Sequence, residues 1–112
     1  MSDILKKLLG LLAGSDAVSY ADYKRTLRGD GTILVDVRGR DEFAESRLPE
    51  AVNIPLDELP GRLGEIPKDK QIATMCLHGV RSAKAAKMLK AKGYNVVSVA
   101  GGMSAVPEKD KK

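Results

Sequence analysis

Gln71-Ile72-Ala73-Thr74-Met75-Cys76-Leu77-His78-Gly79-Val80-Arg81-Ser82 runs from an apolar segment through a glycine-containing turn into a strongly helical segment, Ser82 to Lys92. That order is strand, tight loop, helix. A loop of this kind turns its backbone N–H groups inward, and the helix start adds a partial positive charge, so the loop is an anion cradle. The only cysteine of the chain, Cys76, stands at its rim, and Arg81 can reach back over the loop with a charged fork of donors. Such surroundings favour a thiolate. A lone cysteine is otherwise a buried structural thiol, but that role needs neither the glycine, nor the arginine, nor the helix start. Arg81 as a solvated first-turn residue would oppose the helix dipole, so its placement asks for an anionic partner.

Outward from this centre, strands and helices alternate. Thr32 to Val37 is a continuous apolar, β-branched run between turn residues, which suits a buried parallel strand. Asp36 and Arg38 stand at its C-terminal end, where open α/β sheets place their functional groups. Ala51 to Ile54 predicts a second parallel strand, Gln71 to Met75 the central one, Val96 to Val99 the last, and Ala17-Val18-Ser19 a short extended piece. Helices are expected over Tyr20 to Leu27 with Ser19 as N-cap, over Arg40 to Glu45, over Leu56 to Leu63 up to Gly64, and over Ser82 to Lys92 up to Gly93. A short final helix follows Gly101-Gly102-Met103. The pattern is α/β, with a mostly parallel sheet covered on both faces.

Composition narrows the function classes. A chain of 112 residues fits one domain with an ordinary core, and one cysteine forbids an internal disulfide and suits a reducing compartment. The net charge of +4 comes with only 4% aromatic residues and no Trp, so base-stacking platforms are scarce and nucleic acid is not an expected partner. Lys84, Lys87, Lys90 and Lys92 read as a solvated face, or as a positive field that draws small anions to the loop. Residues 1–14 read as an amphipathic helix, with Ile4, Leu5, Leu8, Leu9 and Leu12 at helical spacing opposite Lys6 and Lys7. Asp3 and the two lysines break the signal-peptide pattern, and the apolar run is too short to span a bilayer, so a cytoplasmic location is expected. The helix is expected to pack on the domain, with a membrane-surface or partner-binding role as the alternatives. Residues 15–107 form the expected domain, and 108–112 a charged, flexible tail that frays into solvent.

Four ordered motifs resemble the rhodanese-like sulfurtransferases. They are the Cys76-to-Ser82 loop, Leu34-Val35-Asp36-Val37-Arg38 with Glu42-Phe43, Ala51-Val52-Asn53-Ile54-Pro55, and Gly101-Gly102-Met103. Together they are far more specific than one motif. The resemblance implies a five-stranded sheet with Ala17-Val18-Ser19 at an edge, and a ping-pong sulfur transfer in which Cys76 takes the outer sulfur of thiosulfate or a similar small anionic donor. The persulfide then passes its sulfur to cyanide, a thiol or a partner protein. Leu77, His78, Gly79, Val80, Arg81 and Ser82 would bind substrate, Asp36 and Arg38 would support the loop by hydrogen bonding, and no metal or organic cofactor is implied. Ser82 reads equally as a helix N-cap or as a hydroxyl donor to loop or substrate, and His78 as an exposed side chain. Ser46-Arg47-Leu48-Pro49-Glu50-Ala51 departs from the family's Gly-His-Ile-Pro-Gly-Ala, and no Trp follows Met103.

Two rivals share these features. A cysteine-based phosphatase of similar fold uses the same thiol, cradle and arginine, but its loop is one residue longer, and the smaller ring here suits a single terminal sulfur better than a phosphoryl group. A non-catalytic persulfide carrier or interaction module would hold the sulfur for a specific partner without turnover.

Overall fold

The computed structural model describes residues 17–112, so the amphipathic helix expected over residues 1–14 lies outside the described residues. The elements are β1 (Ala17–Ser19), α1 (Tyr20–Asp22) continued by a π turn (Tyr23–Leu27), β2 (Ile33–Asp36), α2 (Arg40–Glu45), β3 (Val52–Asn53), a 3-10 stretch (Leu56–Glu65), β4 (Gln71–Met75), α3 (Val80–Ala91) and β5 (Asn95–Ala100). Two 3-10 turns follow, Gly102–Ala105 and Glu108–Asp110. The five strands form one sheet in the order β1-β5-β4-β2-β3, and every neighbouring pair is parallel. Parallel pairing brings the C-terminal ends of β2, β4 and β5 to one edge, with Asp36 opposite Met75 and Thr74 opposite Ser98.

Both faces of the sheet are buried, which is why its strands read as continuous apolar runs. Side chains alternate between the faces. Ile72 and Cys76 join the cluster under α3, with Ala85, Ala86 and Leu89; Ala73 and Met75 join the opposite cluster, with Tyr23, Leu27, Val99 and Met103. Leu89, fully buried, contributes about 1.5–3 kcal/mol by leaving water. Ala85 and Ala86 carry no bulk, so α3 lies close on β4 and β5 and its first turn is fixed over the end of β4.

Several boundaries differ from the sequence reading. The helix after the loop begins at Val80, not Ser82, and ends at Ala91. Gly79 stands at its N-cap with φ 100°, a left-handed conformation that a residue with a side chain resists. Ser19 does cap α1, accepting from Asp22 N at 3.0 Å. The stretch after Pro55 is 3-10 rather than a single regular helix, because Pro60 lies inside it and Arg62 leaves helical geometry. In the altered loop, Leu48 is fully buried and Ala51 N donates to Leu48 O at 3.1 Å, while Glu50 accepts from Tyr23 Oη at 2.9 Å.

The tail over residues 108–112 is not frayed, which corrects the expectation. Lys112 N donates to Arg47 O at 2.7 Å and Arg47 N to Lys112 O at 3.3 Å. Asp110 accepts from Tyr20 Oη at 2.7 Å and from Lys24 Nζ at 2.9 Å. Backbone pairing satisfies donors that the charged composition assigns to water. No helix among the described residues is long and apolar enough to cross a membrane.

Candidate active site

Cys76 follows the last residue of β4 and is 1% exposed. Its Sγ accepts from Gly79 N at 3.1 Å and from Ser82 N at 3.3 Å, and Ser82 Oγ lies 3.5 Å away. The orientation of the loop amides has a cause outside the loop. Met103 N donates to Cys76 O at 2.7 Å and Ser104 N donates to Leu77 O at 2.9 Å. Those carbonyls point toward the Gly102–Ala105 turn, and in trans peptides the N–H groups of Leu77 and His78 then point the opposite way. The approach is so close that a Cβ on Gly102 would stand 2.2 Å from Cys76 O, which no side chain permits.

Burial is the largest single influence on the Cys76 thiol and pushes its pKa up. The Ser82 hydroxyl, followed by the N–H groups of Ser82, Gly79 and His78, outweighs it, and the net shift is downward. Beneath the loop runs a polar strip on an otherwise apolar face. Ser82 Oγ lies 2.8 Å from Ser98 Oγ, and Thr74 Oγ1 donates to Ser82 O at 2.8 Å. Thr74 and Ser98 were not picked out by the sequence reading. The available signal was a hydroxyl interrupting each of two apolar strands, and the register makes them neighbours. Ser82 is no N-cap, since that position belongs to Gly79; its hydroxyl faces Cys76.

Arg81 does not reach back over the loop. Its fork holds Glu42, with Nη1 to Oε1 at 2.7 Å and Nη2 to Oε2 at 3.0 Å, so the anionic partner it required is a carboxylate of α2. The Arg81 guanidinium keeps the Glu42 carboxyl at about 2, and Glu42 Oε1 also accepts from Gly39 N at 3.2 Å at the start of α2. Asp36 and Arg38 form a second, buried pair, Nε to Oδ1 at 2.9 Å and Nη2 to Oδ2 at 2.8 Å. Arg38 also donates to Ser46 O at 2.6 Å, and Asn53 Nδ2 to the carbonyls of Asp36 and Arg38. His78 is exposed, with Nδ1 3.3 Å from Ser104 Oγ. Leu77 and Val80 are exposed apolar residues on either side of it. Among the described residues, no cluster of three or more His, Cys, Asp or Glu side chains is placed to hold a metal ion.

Fold and site together define an α/β domain with a thiolate cradle at the C-terminal end of its central strand. Residues 19–109 match the family described as Rhodanese-like domain, and the chain belongs to that family. It is 36% identical over 89 residues to the putative sulfurtransferase YtwF of Bacillus subtilis, covering 79% of this chain and 86% of that one. It is 34% identical over 79 residues to the thiosulfate sulfurtransferase GlpE of Pseudomonas syringae, covering 70% and 74%. The crystal structure of a rhodanese-like domain protein from Staphylococcus aureus superposes with a TM-score of 0.79 at 33% identity, covering 86% of this chain and 95% of that one.

Proposed function

We propose that the chain is a thiosulfate:cyanide-type sulfurtransferase acting through a Cys76 persulfide, in a reducing compartment such as the cytoplasm. The observation that carries this reading is the Cys76 sulfur accepting from two loop N–H groups beside the Ser82 hydroxyl, with its pKa lowered despite burial. The Cys76 thiolate attacks the outer sulfur of thiosulfate. The new Sγ–S bond forms as the S–S bond of the donor breaks, and sulfite leaves with the bonding pair. The terminal sulfur now carries the negative charge, and the N–H groups of Leu77 to Ser82 hold it as they held the donor. A thiophilic acceptor, whether cyanide, a thiol or a partner protein, then attacks that sulfur and returns the thiolate. Asp36 and Arg38 keep the end of β2 rigid beside the loop.

The occupation of the Arg81 fork by Glu42 weighs against phosphoryl transfer, since the cation that would clamp equatorial oxygens is already paired. Intact mass spectrometry after incubation with thiosulfate tests the reading. The native chain should gain one sulfur atom and Cys76→Ser none, and cyanide should remove that sulfur as thiocyanate over many turnovers. Loading without turnover would favour a persulfide carrier. Loading of the Ser variant would remove Cys76 from the reaction.

A further inference from the structure

Ser98 is the one hydroxyl residue of β5, set among Val96, Val97 and Val99 and 3% exposed. Among the described residues its Oγ has a single hydrogen-bond partner, Ser82 Oγ at 2.8 Å, and Ser82 Oγ in turn is 3.5 Å from Cys76 Sγ. The three groups form a buried chain of two contacts. Each hydroxyl and the neutral thiol carries one proton. With Cys76 neutral there are three protons for two contacts, so either the Ser98 proton or the thiol proton finds no acceptor among these three groups. With Cys76 ionised the numbers match: Ser98 donates to Ser82, and Ser82 donates to the sulfur.

We propose that Ser98 is a positioning residue that aims the Ser82 hydroxyl at Cys76 and so favours the reactive thiolate. The inference rests on Cys76 being the nucleophile, as read above. Two effects act together. A hydroxyl pinned from behind spends less time in rotamers that miss the sulfur, and a hydroxyl that accepts one hydrogen bond is a stronger donor in the next. Thr74 fixes the same turn of α3 from below, through the Ser82 carbonyl, and leaves the Ser82 hydroxyl to Ser98 and Cys76. The charged groups around the thiol are Arg81 on α3, with Glu42 of α2 clamped to it, and the Asp36–Arg38 pair at the end of β2; His78 is the one titratable side chain of the loop itself besides Cys76. The ion pairs of these charged groups do not include Ser98, so a substitution at Ser98 removes none of them.

The experiment is an ultraviolet thiolate titration of Cys76 in the native chain and in Ser98→Ala, Ser98→Val and Ser98→Thr, with the pH profile of thiosulfate loading alongside. Val and Thr have nearly the same shape and differ in the hydroxyl, so their comparison removes packing from the answer. In Ser98→Ala and Ser98→Val the pKa of Cys76 should rise by roughly half a unit, about a threefold loss of thiolate below the pKa, and the loading profile should move to higher pH by the same amount. Ser98→Thr should titrate close to native. If Ser98→Val does not fold, Ala against Thr decides. An unshifted titration in folded Ser98→Ala, or Thr shifted as far as the variants without a hydroxyl, overturns the proposal. The titration needs no sulfur donor. A native chain that titrates low, responds to Ser98 and takes no sulfur would therefore sink the sulfurtransferase reading and leave the Ser98 role standing.

Discussion

Arg38 and Arg81 each present a guanidinium fork to a carboxylate, yet the side chains of the Arg38–Asp36 pair are 4% and 0% exposed and those of the Arg81–Glu42 pair 37% each. The first pair is shut in at the end of β2, and Arg38 adds bonds to the carbonyls of Glu42 and Ser46, so it ties β2 to the middle and the C-terminal end of α2. The second lies open beside the active loop, where water screens it. The same chemistry thus serves as framework in one place and as an exposed, screened pair in the other, and burial together with the extra carbonyl bonds of Arg38 makes the difference.

That contrast is most easily broken at Arg38. Replacing it with Met leaves the fully buried Asp36 carboxylate without its cation, and the expected loss of stability is about 3–5 kcal/mol, a large part of what a domain this size has. Urea unfolding measures it, and a loss below about 1 kcal/mol would mean that Asp36 finds water or another partner. Glu42→Gln is the matching change at the open pair. Gln still accepts from Gly39 N, so the start of α2 survives, and stability should fall by less than about 1 kcal/mol. The freed Arg81 can then turn to an anionic donor, lowering KM for thiosulfate by up to about fivefold with kcat little changed. A KM that stays put or rises would show that Arg81 does not reach the donor.

The smallest effect sharpens the comparison by pH. Glu42 is held at about 2 by Arg81, against roughly 4.3 for an ordinary glutamate. A carboxyl with a lowered folded-state value adds stability that is fully present above its unfolded value and is lost as pH falls through the folded one. The stability gap between the native chain and Glu42→Gln should therefore be level above about pH 5 and close as the pH approaches 2. Urea midpoints across that range give the curve, and a gap that is flat throughout would refute the pairing.

The alternation of strand and helix was legible because each element carries its own signal: β4 and α2 fall on the residues that the apolar run and the helix-forming stretch indicate. The start of α3 was not, since Gly79 caps it through a left-handed backbone and not through a side chain that sequence could display. Cys76 and its loop were visible as a local motif. Their neighbours were not, because Glu42 meets Arg81 and Ser98 meets Ser82 only after the parallel register has brought distant segments together. The tail misled for the opposite reason. Its charges suggest solvation, while it is docked by backbone pairing of Arg47 with Lys112 and by Asp110 held between Tyr20 and Lys24, partners distant in sequence that composition does not describe.

Gly102, pressed against the carbonyl of Cys76, has a consequence in time as well as in space. The Leu77 and His78 amides of the loop are aimed by Met103 and Ser104, and both are synthesised after the cysteine beside them. A growing chain therefore exposes Cys76 first as an ordinary, weakly ionised thiol. The contacts around it are complete only when β5 has entered the sheet and the turn behind it has docked. Completion of the fold is the event that assembles the surroundings of this thiol, and an unfinished chain carries Cys76 without them.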